Sequence, residues 1–146
     1  MGMADLNTYN GLVLACQDEA FTLAAYLLGD DRAADAAVQE AVVRAYRRYL
    51  RTPEASVRLL ILQQVLAGCG RSARARGAGP VEGFCDPAPR ERTTLLLVDV
   101  LGLSYDEAAE VLGCSRDQVV RRLARARVRI AERVRQRGVA HPVSVG

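Results

Sequence analysis

Residues 101–127, LGLSYDEAAEVLGCSRDQVVRRLARAR, constrain the fold of this 146-residue chain more than any other stretch. An apolar segment that opens at Ser104 is followed by the turn Gly113-Cys114-Ser115 and by a second segment rich in arginine. Serine is a preferred residue type at helix N-termini, and glycine suits the residue that follows a helix. Two helices joined by a turn of about three residues that contains glycine predict a helix-turn-helix.

The second of these helices has an apolar side and a charged side. Its apolar residues recur at three- and four-residue steps, the spacing of one face of a helix. We therefore expect an apolar stripe that packs on residues of the preceding helix, with Val119, Leu123, Ala126, Ile130 and Val134 in the stripe and Tyr105, Ala108, Val111 and Leu112 beneath it. The arginines between the stripe residues are expected to face outward.

This charged side is a candidate DNA-binding surface. In a helix-turn-helix the first residues of the second helix contact base edges, and arginine and glutamine can bond bidentately to guanine and adenine. Arginines farther along are expected to neutralise phosphates. The candidate residues are Arg116, Asp117, Gln118, Arg121, Arg122 and Arg125. Two other interpretations remain open: a solvated arginine-rich helix, or one that lies on an acidic protein partner.

The charge distribution favours a polyanionic ligand at the C-terminal end. All 20 basic residues are arginine, against 17 acidic residues in the whole chain. Residues 1–50 carry 4 arginines and 7 acidic residues, whereas residues 116–137 carry nine arginines against Asp117 and Glu132. The identity of the cation matters less here than its position.

The remainder of the chain predicts an all-α protein made of two small helical modules. Helical periodicity indicates helices over about 8–28, 32–49 and 54–76, and no strand alternation is present. The segment that follows is rich in glycine and proline, which is typical of a linker. We predict a first module over residues 8–76, a linker over 77–89, a helix-turn-helix module over 90–137 and a tail over 138–146.

The composition argues against an enzyme and against a bound metal or cofactor. Four cysteines share no short spacing and His141 is the only histidine, so no zinc site or disulfide framework is expected. No paired-carboxylate or glycine-rich phosphate signature is visible. The longest continuous apolar runs are too short to span a bilayer and no signal peptide is evident, so we expect no membrane association and place the protein in the cytoplasm.

The two modules resemble the bacterial sigma-70 superfamily, in particular its extracytoplasmic-function group of RNA polymerase sigma factors. Residues 87–130, PAPRERTTLLLVDVLGLSYDEAAEVLGCSRDQVVRRLARARVRI, resemble the fourth region of that family. Residues 25–47, AYLLGDDRAADAAVQEAVVRAYR, resemble its second region more weakly. The resemblance covers most of residues 10–135.

The resemblance implies a sigma factor that binds core RNA polymerase and directs it to specific promoters. The first module would bind the polymerase through Asp35, Gln39 and Glu40, and the linker would thread toward the RNA exit path. The helix-turn-helix would read the upstream promoter element. An anti-sigma factor is a further candidate partner.

Several positions depart from the family pattern in the second region. Asp35 is followed by Ala36 where the family carries an acidic pair, and Val57, Gln64 and Gly68 stand where it favours Trp, Asn and Asp. No aromatic residue occurs between Tyr49 and Phe84, so stacking on an unpaired base, which stabilises by roughly 1 to 3 kcal/mol, is not available there. Promoter-backbone contacts remain a candidate role for Arg71, Arg74 and Arg76.

These departures keep two alternatives to a sigma factor open. The chain could be a sigma-like regulator that does not initiate, or a decoy that occupies an anti-sigma factor, having lost the ability to melt promoters. It could also be a plain helix-turn-helix repressor, although the first module would then have no task and no dimerisation helix is evident.

Overall fold

The computed structural model describes residues 3–75 and 89–140, and within these ranges every regular element is a helix. The all-α prediction is therefore confirmed, as is the helix-turn-helix near the C-terminus. The helices are α1 (Met3–Leu28), α2 (Asp31–Arg51), α3 (Val57–Ala75), α4 (Pro89–Leu95), α5 (Tyr105–Leu112) and α6 (Arg116–Ala140). Residues 76–88 and 141–146, which include Arg76 and most of the predicted linker, lie outside the described residues.

The described chain divides into two compact units, and α1–α3 make up most of the first of them. Each helix packs on the other two around fully buried side chains, the largest of which are Tyr9, Leu23, Ile61, Leu62 and Val65. Gly29, with φ of 69°, ends α1 in the left-handed conformation that glycine adopts without strain, and its N–H donates to the Ala25 carbonyl at 2.8 Å. The Asp30 carboxylate then caps α2 by accepting from the Arg32 N–H at 3.2 Å.

One side of α2 is buried and the rest of the helix is half-buried or exposed. Val42 and Tyr46 are half-buried, whereas Ala34 and Tyr49 are buried. The buried stripe is therefore centred on Ala34, Val38, Ala41, Ala45 and Tyr49, because α1 and α3 both pack against that side of the helix.

α1 is longer than the helix predicted over about 8–28, and its apolar stretch is longer than the short continuous apolar runs of the sequence suggested. By length and composition alone, Leu6–Leu28 could cross a membrane. Several of its residues are nevertheless buried in the three-helix core, namely Tyr9, Cys16, Ala20, Leu23 and Ala24. A core helix of a small unit passes the same test of length and composition.

The second unit contains most of the residues from Pro89 to Ala140. α4 continues directly into a π-helical turn, Leu96–Val100. The Leu101 N–H donates to the Leu96 carbonyl at 2.9 Å, five residues back. Buried apolar residues from each element form the core, among them Leu97, Leu103, Ala108, Val119, Leu123 and Ala126.

The predicted apolar stripe of α6 is correct only in its first half. Val119, Leu123 and Ala126 are at most 1% exposed, but Ile130 is half-buried and Val134 is 65% exposed. Glu91, near the start of α4, already contacts Arg129, so the described part of this unit offers little surface against which Val134 could pack. α6 therefore extends beyond the elements that pack against it, which leaves Val134 exposed.

A buried tyrosine provides a test of the packing in the first unit. Tyr9 donates a hydrogen bond to the Val42 carbonyl, and its ring lies 4.9 Å from the Tyr46 ring and 5.3 Å from the Tyr49 ring. Burial raises the pKa of Tyr9 to about 12, whereas an unfolded chain releases this proton near pH 10. The contribution of Tyr9 to stability is therefore complete below about pH 10 and declines as the pH rises toward 12.

We expect a spectrophotometric titration to show a late phase near pH 12 from one tyrosine, and Tyr9→Phe to abolish that late phase. Tyr105→Phe, which removes a tyrosine from the other unit, should leave the late phase in place. A late phase that survives Tyr9→Phe would contradict the packing described for this residue.

Candidate nucleic-acid interface

The turn between α5 and α6 is built from backbone hydrogen bonds around one glycine. Gly113 has φ of 66°, a conformation that residues with a side chain rarely adopt. The Cys114 N–H donates to the Ala109 carbonyl at 3.1 Å and the Gly113 N–H to the Glu110 carbonyl at 3.4 Å. This pair of bonds is the Schellman motif, which ends α5 and redirects the chain.

Both helices of the motif begin with a reciprocal cap. The Glu107 N–H donates to Ser104 Oγ at 3.1 Å while Glu107 Oε1 accepts from the Ser104 N–H at 3.0 Å. The Gln118 N–H donates to Ser115 Oγ at 3.2 Å while Gln118 Oε1 accepts from the Ser115 N–H at 3.1 Å. Serine followed three residues later by glutamate or glutamine is the capping box, and it fixes where α5 and α6 start.

The cap changes what Gln118 can offer to DNA. Its Oε1 is used within the helix terminus, so Nε2 is the group available to a ligand in this arrangement. Bidentate bonding to adenine, which needs both groups, would require the cap to open. The serine caps were predicted from the sequence, but the part played by Gln118 was not, although the spacing of Ser115 and Gln118 carries that signal.

Arg116 is also held by the motif itself. Its Nε lies 3.4 Å from Asp106 Oδ1, and its guanidinium carbon lies 5.5 Å from the centre of the Tyr105 ring. The side chain remains 61% exposed, so these contacts orient it without burying it. Arg116 thus joins the first turn of α5 to the first turn of α6.

Two arginines in the middle of α6 contact the segment that precedes the motif. Arg127 makes two hydrogen bonds to the Asp99 carboxylate, Nη2 to Oδ1 at 2.6 Å and Nε to Oδ2 at 3.1 Å. The hydrogen bond to Asp99 raises the pKa of the Arg127 guanidinium above its ordinary value. Arg129 Nη1 lies 3.2 Å from Oε2 of the buried Glu91. Sequence reasoning did not distinguish these two arginines from the rest.

A third group of arginines makes no ion pair with any residue of the described chain. Arg121 and Arg125 lie one helical turn apart, both exposed, and Arg122 beside them is half-buried. Arg135 and Arg137 near the end of the helix share these properties, although the sequence analysis did not select them. Guanidinium groups without a carboxylate partner are the ones able to bind phosphates.

The candidate polymerase-binding residues of α2 are all exposed. Gln39 Nε2 donates to Asp35 Oδ2 at 3.3 Å, so these two side chains lie side by side. Glu40 Oε1 lies 2.8 Å from Arg44 Nη2 and 3.7 Å from Arg71 Nη2, and its charge is already shared. Arg71 is exposed, Arg74 lies in α3 with its side chain outside the described residues, and Arg76 lies beyond them.

The thiols of the described residues show no sign of shared chemistry. Cys16 and Cys69 are buried and Cys114 is half-buried, and no disulfide joins any two of these described cysteines. Burial, with a smaller effect of Glu19, raises the pKa of the Cys16 thiol, which keeps the thiol protonated. Cys85 lies outside the described residues.

Comparison with known protein families matches residues 88–130 to the family model described as Sigma-70, region 4. A comparison with curated proteins found no match. The matched segment includes α4, the π-helical turn, the helix-turn-helix and the first half of α6. Region 4 is a helix-turn-helix DNA-binding domain and not an enzyme family, so the match supports a place in the sigma-70 superfamily and a role in transcription for this part of the chain.

The division of the arginines predicts different salt dependences for two neighbouring substitutions. Arg125→Gln should lower the slope of log affinity against log salt by about 0.9 if Arg125 neutralises one phosphate. Arg127→Gln removes the same charge but should leave the slope unchanged, because that guanidinium is bonded to Asp99. Binding to a random-sequence duplex, followed by fluorescence anisotropy across a salt series, measures both slopes. Equal changes in the two variants would contradict the division.

Proposed function

We propose that this protein is an RNA polymerase sigma factor of the extracytoplasmic-function type, acting in the cytoplasm without catalysis of its own. It binds core RNA polymerase and directs it to specific promoters. The observation that carries this proposal is the coincidence of the region 4 match with a braced helix-turn-helix in which the exposed Arg121 and Arg125 have no carboxylate partner among the described residues.

In this proposal the helix-turn-helix reads the upstream promoter element through α6. Arg121, Arg122 and Arg125 contact phosphates and set the position of the helix in the major groove. The first turn approaches the bases with Arg116, Asp117 and the free Nε2 of Gln118. The bonds of Arg116 to α5 support this role, because they hold its guanidinium at the start of the helix before DNA arrives.

The exposed side of α2 supports the proposed contact with core polymerase. Ala36, Val43 and Leu50 are exposed and recur every seven residues, so they lie on one side of the helix. Val43 is 56% exposed and Leu50 is 37% exposed. Asp35 and Gln39 border the same strip, which makes it an apolar seam with a polar edge suited to packing on a helical partner.

The domain organisation belongs to the same proposal. Residues 8–76 form the polymerase-binding module and residues 90–137 the promoter-reading module, joined by a linker over 77–89 that runs toward the RNA exit path. An anti-sigma factor that covers either module is a further proposed partner.

One observation favours the alternative of a sigma-like regulator that does not initiate transcription. Val57 is 5% exposed and Gln64 is 8% exposed, so two of the positions expected to contact melted DNA belong to the core of the first unit. Gly68 is half-buried and Arg71 is exposed, which leaves a backbone contact available, but the described residues of α3 include no aromatic side chain on which a base could stack. A decoy for an anti-sigma factor fits the same observation.

Core capture and transcription together test the proposal. The full chain is expected to bind purified core polymerase in a pull-down and to yield discrete transcript start sites on fragmented genomic DNA. Core binding without transcripts would favour the non-initiating regulator, and DNA binding without core binding would contradict both.

Substitution of the α2 seam makes the test specific. Val43→Arg should abolish core capture, because it places a charge in the centre of the exposed seam without disturbing a buried residue. Leu14→Arg is the control, since Leu14 is 73% exposed on α1 in the same unit and lies outside the seam. Circular dichroism should show unchanged helix content for both variants.

A further inference from the structure

Asp99 occupies the π-helical turn at the end of the first helix of the second unit. π-helical turns are rare, and they frequently occur at functional sites. Leu96 and Leu97 in the same turn are buried, whereas Asp99 lies on the surface with its side chain 34% exposed. The turn thus keeps two leucines in the core while it directs one carboxylate to α6.

The contact between Asp99 and Arg127 restricts the relative orientation of the two elements as well as the distance between them. Both carboxylate oxygens accept from one guanidinium, at 2.6 Å and 3.1 Å, and such a two-point bond also limits rotation of one element against the other. Gly102, with φ of 74°, lets the chain reverse after the turn, and the Leu103 N–H closes it by donating to the Leu97 carbonyl at 3.0 Å. The carboxylate is therefore held by a defined backbone.

Arg127 and Arg125 project from opposite sides of α6. Residues two apart on a helix are separated by about 200° around its axis. The side of α6 that contacts Asp99 is consequently turned away from the side that carries Arg121 and Arg125. A bond on that side sets the direction in which the unpaired arginines point.

We propose that Asp99 is a positioning residue for DNA recognition: through Arg127 it sets the rotation of α6 and hence the angle at which the unpaired arginines and the first turn of the helix meet the major groove. The inference rests on the proposed DNA-binding function of α6. Both partners are substantially exposed, 51% for Arg127 and 34% for Asp99, and an ion pair of this kind contributes little to folding stability. Its effect is on orientation.

For Asp99→Asn, the change in charge and the proposed change in the orientation of α6 predict opposite effects on DNA affinity, so this substitution tests the proposal. Asp99→Asn removes a negative charge from a module that binds a polyanion, and it releases Arg127 from its partner. Charge alone would therefore strengthen DNA binding and could raise the salt slope by about 0.9 for one new phosphate contact. Misorientation of α6 would weaken binding to a preferred sequence instead.

The experiment uses the full chain and two DNA probes. One is a duplex selected from a random pool by the wild-type protein, and the other is a random-sequence duplex of the same length. We expect Asp99→Asn to lower affinity for the selected duplex by roughly three- to tenfold, with little change for the random duplex, an unchanged salt slope and an unchanged melting temperature. A merely structural role would reduce binding to both duplexes and lower the melting temperature.

Two further variants complete the test. Asp99→Glu keeps a carboxylate and should restore preference for the selected duplex. In an Arg127→Gln background, Asp99→Asn should have no further effect, because the carboxylate acts through that arginine. Unchanged or tighter binding of Asp99→Asn to the selected duplex would overturn the inference while leaving the proposed function intact. Failure of the wild-type protein to select any duplex would overturn both.

Discussion

The second unit depends on burial of a short apolar stripe on α6. Val119, Leu123 and Ala126 are almost completely removed from solvent, and burial of a valine or leucine side chain stabilises a fold by roughly 1.5 to 3 kcal/mol. This burial leaves one side of α6 inside the unit and the rest of its surface outside. The position of an arginine around and along α6, relative to that stripe, decides which preceding elements its side chain can reach.

Arginines in one helix therefore have different chemistry although their side chains are identical. Arg116, Arg127 and Arg129 flank the buried stripe and reach carboxylates on preceding elements, namely Asp106, Asp99 and Glu91. Arg121 and Arg125 lie far from the stripe, and no carboxylate of the described chain pairs with them. The first group orients the helix and the second remains available to a polyanion. The number of arginines in α6 is therefore larger than the number that can bind DNA.

In the first unit, packing of the core buries side chains that would otherwise be available to contact a partner. A small three-helix unit needs most of its apolar residues in the core. In α3 the apolar Val57 and the polar Gln64 are both buried, so neither side chain is presented to solvent. On α2, by contrast, the seam residues Ala36, Val43 and Leu50 remain exposed.

Local rules in the sequence determined the helical class, the glycine turn, the serine caps and the start of the apolar stripe, because periodicity and capping act within a few residues. The tertiary structure decided which arginines pair, that Gln118 closes a cap, that a π-helical turn carries Asp99, and that Val134 stays exposed. Pairing of Arg127 with Asp99 joins residues 28 positions apart. Such contacts depend on where the chain folds back and on the length of the neighbouring helix, neither of which a local pattern contains.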